Sequence, residues 1–167
     1  MSIDDDMDRK KIYHTIFLNS ERILRLINQL MDVQKIDQGK MRLTFQETEI
    51  VSMINDICEI FEEQAKEQGL QLNFHHEGID KVNAWTDPNH FDKIILNLLS
   101  NAFKFTPKEG KVEIRLNTVT GNPPQGPLSN YMEIIVSDTG KGIEENEKEQ
   151  IFKAFYQVPN NSGTGTG

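Results

Sequence analysis

Two asparagines and a lysine on one predicted helix are the first residues whose types and spacing suggest chemistry. In Asn97-Leu-Leu-Ser-Asn101-Ala-Phe-Lys104-Phe105-Thr106-Pro107 the asparagines are four residues apart, so on a helix they project from one face, a turn apart. An amide oxygen is a suitable hard ligand for Mg²⁺, and two amides beside a lysine could bind a metal-bound phosphate chain. Taken alone, asparagines on a helix are more often solvated surface residues. A second segment, Asp138-Thr-Gly140-Lys-Gly142-Ile143, follows a predicted strand. An aspartate at a strand end can accept a hydrogen bond from an exocyclic amine such as that of adenine, and two glycines let a flat ligand approach the backbone. By itself the segment is equally a plain Asp-Gly turn. A third, Gly163-Thr164-Gly165-Thr-Gly167, offers backbone NH groups of the kind that line phosphate sites, or a flexible polar tail. It is not a P-loop, because no Gly-Lys-Ser/Thr follows, and it does not open a long helix after a strand as the dinucleotide fingerprint does.

The elements that must position these residues mix helices and strands without regular alternation. Apolar residues at Ile12, Tyr13, Ile16, Phe17, Ile23, Leu24, Ile27, Leu30 and Met31 predict a long helix over about Asp8–Gln38, stopped by Gly39, with a stripe that suits a bundle or coiled coil. A single helix of this length cannot bury that stripe, so self-association or a missing neighbour is expected. Met41–Phe45 alternates like a short strand. Thr48–Gln68 reads as an amphipathic helix with Ile50, Ile54, Ile57, Phe61 and Ala65 on one face. Leu70–Phe74, Val82–Trp85, Lys111–Val119 and Tyr131–Ser137 read as strands. Pro88 opens a helix over roughly Asn89–Phe103, with Leu98, Leu99 and Ala102 directed to the core. Gly121–Asn130 is a loop, and a short polar helix lies near Glu145–Phe155. The pattern favours an α+β fold, with helices layered on one face of a mixed or antiparallel sheet.

Composition narrows the partners. The 167 residues carry a formal net charge of −8, which argues against nucleic acid or an anionic membrane surface, since both select for Lys/Arg patches. One cysteine, Cys58, cannot form an intrachain disulfide, and a cytoplasmic compartment is expected. There is no run of 18 apolar residues, so any anchor of a parent membrane protein is expected outside this chain, and no membrane contact is expected of the chain itself.

The order of the motifs adds a resemblance to a known family. The run from Asp87-Pro through Asn97, Asn101 and Lys104 to Pro107 resembles the N box of bacterial sensor histidine kinases. Asp138-Thr-Gly140-Lys-Gly142-Ile143 is similar to their G1 box, Ile151-Phe152-Lys-Ala-Phe155-Tyr-Gln157 to their F box, and Gly163–Gly167 to the opening of their G2 box. Asn19 to Met41 resembles the second helix of the dimerisation and phosphotransfer domain, and its Lys-Ile-Asp-Gln-Gly-Lys-Met ending is similar to that of hybrid sensor kinases.

The resemblance implies a two-layer α/β sandwich of the Bergerat-type ATPase fold shared by histidine kinases, gyrase and Hsp90, preceded by one long coiled-coil or bundle helix. It divides the chain into residues 1–40, a partial dimerisation domain, and residues 41–167, an ATP-binding catalytic domain incomplete at its C-terminus. Asn101 would be the Mg²⁺ ligand with Asn97 beside it, and Lys104 would reach the phosphates. Phe105 stands where a tyrosine often contacts the nucleotide. Asp138 would read the adenine amino group while Gly140, Gly142 and Ile143 wall the ring. Residues 144–162 would form a lid latched by Phe152 and Phe155, Gln157 would approach the terminal phosphate, and Gly163, Thr164, Gly165 and Gly167 would cover the phosphates. ATP-hydrolysing relatives carry a glutamate base where this chain has Asn97, and an amide cannot take a proton from water. The site should therefore spare the γ-phosphate of ATP for a histidine.

The implied partners are ATP, a second copy of the chain through the N-terminal helix, a phosphoacceptor helix and a response-regulator receiver domain, and the implied setting is the cytoplasmic portion of an inner-membrane sensor. His14 is followed by Thr-Ile-Phe, not by the acidic, basic and proline residues that follow the family's acceptor, so the acceptor is expected on another helix. His75, His76 and His90 are expected at the surface. The alternative reading is a catalytically silent interaction fragment with a vestigial site.

Overall fold

A computed structural model describes residues 3–120, 130–153 and 156. They fall into two compact units, Met1–Thr44 and Phe45–Gly167. The first is one helix, α1 (Ile3–Asp37), closed by the Gly39 amide donating to the Ile36 carbonyl at 2.9 Å. Ile12, Phe17, Ile23, Leu24, Ile27, Leu30 and Met31 stay exposed along it, as one helix with no second layer requires. Among the described residues no helix is long and apolar enough to cross a membrane.

The second unit runs β1 (Gln46–Glu49), α2 (Ile50–Gln68), β2 (Gln71–His75), β3 (Asn83–Thr86), α3 (Pro88–Phe105), β4 (Lys111–Thr120) and β5 (Asn130–Asp138). β1 and β3 form a two-stranded antiparallel sheet, and β2-β4-β5 a three-stranded mixed sheet with β2 parallel and β5 antiparallel to β4. Ile50, Ile54, Ile57, Phe61 and Ala65 of α2 meet Ile95, Leu99, Ala102 and Phe103 of α3 over the inward file Val112, Ile114 and Leu116 of β4. Phe61 and Phe103 cross with ring centroids 4.9 Å apart. The result is the helix layer on a mixed sheet that the pattern predicts.

Several local expectations shift. The first strand is Gln46–Glu49 and not Met41–Phe45, because residues 46–49 are the ones in register with Asn83–Thr86. The helix after it starts at Ile50 and not Thr48, because Glu49 turns into its N-cap. Its Oε1 accepts from Val51 at 3.1 Å and from Val82 at 3.2 Å, and its Oε2 accepts from Ser52 at 2.7 Å. Leu98 does not join the core. The buried positions Ile95, Leu99, Ala102 and Phe103 leave Ile94 and Leu98 on the opposite side of the stripe, with Leu98 45% exposed. Residues 145–152 make consecutive turns in place of a regular helix. The three histidines expected at the surface are partly buried: His75 Nε2 lies 3.6 Å from Glu113, His76 Nδ1 lies 2.9 Å from the Ile79 carbonyl oxygen, and His90 Nδ1 lies 3.0 Å from Asp87. The expected loop at 121–129 lies outside the described residues.

Glu49 joins α2 to the β1–β3 sheet, and its titration gives a stability signature. Burial raises its carboxyl, but the amides of Ser52, Val82 and Val51 outweigh that, and the group ends below the usual carboxylate range. A lowered folded-state pKa contributes stability that is present above the unfolded value of about 4.3 and is lost as the pH falls through the folded value. Glu49→Gln should therefore cost about 1 kcal/mol at pH 7. Urea melts of the two proteins at pH 7 and in acid should show that difference shrinking as the pH drops below about 4.

Candidate nucleotide site

The site is assembled where α3 ends against the turn that follows β5. α3 starts at Asp87, a residue only 5% exposed whose side chain accepts the His90 amide at 3.1 Å, with Pro88 pre-set at the first helical position. It ends at Thr106, whose amide and hydroxyl both donate to the Ala102 carbonyl, at 2.9 and 2.7 Å. Pro107 then prevents continuation. These two caps fix the register of the helix. With Leu99 and Ala102 inward, Asn97, Asn101, Lys104 and Phe105 are all exposed.

The β4–β5 register carries Asp138 to the same place. Val112 lies opposite Asp138, Ile114 opposite Val136, and Leu116 opposite Ile134. Directly opposed residues of an antiparallel pair share a face. Asp138 thus ends the file that faces the helices, yet it is exposed because the sheet stops there. Thr139 fastens the turn to β4: its amide donates to the Lys111 carbonyl at 3.0 Å, and its Oγ1 accepts the Lys111 amide at 2.9 Å. The Gly140 amide donates to Asp138 Oδ1 at 2.7 Å, which holds that oxygen and leaves the other carboxylate oxygen for a ligand.

Gly140 seats the turn against α3. A Cβ placed there would lie 2.7 Å from the Phe105 carbonyl oxygen and 2.6 Å from Asp138 Oδ1. Lys104 and Lys141 both reach the Phe105 ring, with their Nζ atoms 5.4 and 5.7 Å from its centroid. The structure therefore brings together Lys104, Phe105, Asp138 and Gly140 from the sequence-derived set. Asn97 and Asn101 lie on the same helix, two turns and one turn back from Phe105 respectively, with Asn101 four residues before it. Gly142, at φ 70°, and Ile143 continue the turn and are exposed. Phe152 is 86% exposed. Phe155, Gln157, Gly163, Thr164, Gly165 and Gly167 lie outside the described residues. Sequence reasoning assigned no role to Thr139 or Lys141; the available signal for Lys141 was a cation set between two glycines of a tight turn.

A helix layer on a mixed sheet, with an Asp-x-Gly turn wedged against the end of a helix bearing two exposed asparagines and a lysine, defines a nucleotide-binding ATPase-type domain. Residues 86–167 match the family model for the histidine kinase-, DNA gyrase B-, and HSP90-like ATPase, and the chain belongs to the sensor histidine kinases of that family. It is 30% identical over 168 residues to histidine kinase P4 of Formosa agariphila, covering 94% of this chain and 12% of that protein. It is 32% identical over 167 residues to hybrid signal transduction histidine kinase D of Dictyostelium discoideum, covering 97% of this chain and 10% of that one. The chain thus spans only about a tenth of the length of these relatives. Among solved structures, full-length ShkA in complex with AMPPNP superposes with a TM-score of 0.68 at 23% identity, over 81% of this chain and 27% of that one.

Proposed function

We propose that the second unit is the Mg-ATP-binding catalytic domain of a sensor histidine kinase, which transfers the γ-phosphate of ATP to a histidine on a dimerisation helix outside this chain, and that the first unit is one helix of that dimerisation domain. The observation that carries this reading is the wedge of the Asp138–Gly140 turn against Phe105. It sets an acceptor for an adenine amino group beside Lys104, at the end of a helix whose exposed amides are one turn apart. A protein of the same fold holds AMPPNP, an ATP analogue.

The residues fit the groups they would hold. Asp138 accepts from the adenine amine with the oxygen that Gly140 leaves open. The Gly140–Ile143 turn lies flat against the ring. Asn101, with Asn97 a turn before it, offers the hard amide oxygens that suit Mg²⁺, which when bound neutralises phosphate charge. Lys104 adds a second positive charge at the transferring group, so catalysis is positioning and electrostatics. Asn97 lacks the basicity to activate water, so the site keeps ATP for the phosphoacceptor. On the described part of α1 the exposed apolar stripe suits a second copy of the same helix. The domain works in the cytoplasm of a membrane-anchored sensor and hands its phosphate on towards a response-regulator receiver domain. The residues proposed outside the described set, Phe155, Gln157 and Gly163–Gly167, act as latch and phosphate cover.

Calorimetry with an ATP analogue and Mg²⁺ tests the assignment. Saturable, Mg²⁺-dependent binding is expected from the parent chain. Asn101→Ala should weaken it by at least tenfold and remove the Mg²⁺ dependence. Binding that is indifferent to both Mg²⁺ and Asn101 would overturn the metal assignment.

A further inference from the structure

We infer that Thr139 is a positioning residue for base recognition, a role that rests on the nucleotide-site reading above. Its hydroxyl replaces its own main-chain carbonyl as the partner of the Lys111 amide, and so ends the strand directly after Asp138. The register of β4 and β5 puts Val112 opposite Asp138, and therefore Lys111 opposite Thr139. A hydrogen-bonded antiparallel pair exchanges two bonds, each amide donating to the opposite carbonyl. Here only one bond is of that kind. The Thr139 amide donates to the Lys111 carbonyl at 3.0 Å, but the Lys111 amide donates to Thr139 Oγ1 at 2.9 Å. A main-chain amide must find an acceptor. Because the hydroxyl supplies it, the ladder does not need the Thr139 carbonyl, and the chain can turn at once.

The placement of Asp138 depends on that turn. The Gly140 amide closes it by donating to Asp138 Oδ1 at 2.7 Å, a local side-chain bond of the kind aspartate favours. A ladder that ran one residue further would carry Gly140 away from Asp138 Oδ1 and from the Phe105 carbonyl against which it is seated. Gly110 leaves the space for the hydroxyl: a Cβ there would lie 2.8 Å from Thr139 Oγ1 and 2.4 Å from Thr106 Cγ2. The threonine that ends α3 and the threonine that follows β5 both border this one space, with separate tasks. Thr106 Oγ1 donates to the Ala102 carbonyl at 2.7 Å, whereas Thr139 Oγ1 accepts from Lys111. Position 139 thus requires a short side chain with an acceptor, which serine has and valine, of the same shape as threonine, lacks. The consequence falls on Asp138 and the base, not on the α3 residues proposed for Mg²⁺ and the phosphates.

The experiment compares the full chain with Thr139→Val, Thr139→Ala and Thr139→Ser. It measures ATP and GTP affinity by competition against a fluorescent ATP analogue, and hydrogen exchange of the Lys111 amide by NMR without nucleotide. Thr139→Val should speed that exchange at least tenfold and weaken ATP about tenfold, as expected for one lost hydrogen bond. GTP should bind nearly as before, since guanine presents no amine to Asp138. Thr139→Ala removes the hydroxyl without setting a methyl beside Gly110, so it decides the matter if the valine variant fails to fold. Thr139→Ser should restore exchange and both affinities. Parent-like ATP affinity in the alanine variant would overturn the proposal. So would an equal loss of ATP and GTP, which would mark the hydroxyl as a brace for the whole site. A parent chain that binds neither nucleotide would sink the nucleotide reading itself, and the role of Thr139 with it.

Discussion

Asp138→Asn should lower ATP affinity roughly 100-fold at pH 7, leave the fold intact, and narrow the margin by which ATP is preferred over GTP. The reasoning follows the two oxygens of one carboxylate. Oδ1 already accepts the Gly140 amide at 2.7 Å, and an asparagine carbonyl can accept the same bond, so the turn survives the substitution. The second oxygen becomes an NH₂ group. A donor then faces the exocyclic amine of adenine, itself a donor, and the contact changes from a charge-assisted hydrogen bond to two unmatched donors. Guanine carries an acceptor oxygen where adenine carries the amine, so it loses nothing and gains a partner. Titrations of parent and variant with both nucleotides, together with thermal melts, check each part. Equal loss of ATP and GTP would mean that Asp138 does not read the base edge. A lowered melting temperature would mean that the turn, and not recognition, had failed.

How much of this was legible beforehand depends on which interactions set each feature. The helix layer was readable because α2 and α3 bury stripes at helical spacing, and the sheet because β4 alternates Val112, Ile114 and Leu116 inward. The boundary at Glu49 was not readable. A glutamate is an unusual N-cap, and it fills that role here because Val82, distant in sequence, supplies a third donor. Leu98 was misplaced for a related reason. Periodicity marks an apolar stripe but not its centre, and only the packing of Leu99 and Phe103 on α2 and the sheet decides which edge of the stripe faces solvent. Within the site, Asp138, Gly140 and Lys104 stood out through residue type and order. The convergence of Lys104 and Lys141 on Phe105 did not, because it depends on the long-range seating of the β5 turn against the end of α3.

That seating makes the second large prediction. Gly140→Ala should destabilise the second unit by about 2 kcal/mol, the usual cost of forcing a methyl into a filled space, and should weaken ATP by at least tenfold. The added Cβ would stand 2.6 Å from Asp138 Oδ1, 2.7 Å from the Phe105 carbonyl oxygen and 3.1 Å from the Phe105 carbonyl carbon. Each route of relief passes through the site. Rotating Asp138 away breaks its bond to the Gly140 amide and removes the proposed adenine acceptor. Moving the Phe105 carbonyl disturbs the last turn of α3, which carries Lys104 and Phe105. Withdrawing the turn itself works against the two Thr139–Lys111 bonds. Gly142 is the natural control, since a Cβ there meets nothing within 4 Å. It sits at φ 70°, so alanine pays only the left-handed backbone penalty of about 1 kcal/mol. Thermal melts and nucleotide titrations of the two variants separate the causes. Steric seating predicts that the change at Gly140 costs far more affinity than the change at Gly142, whereas a turn that merely needs flexible glycines predicts equal losses. Parent-like binding by Gly140→Ala would show that α3 and the turn are not wedged, and would remove the geometric basis for placing adenine at Asp138.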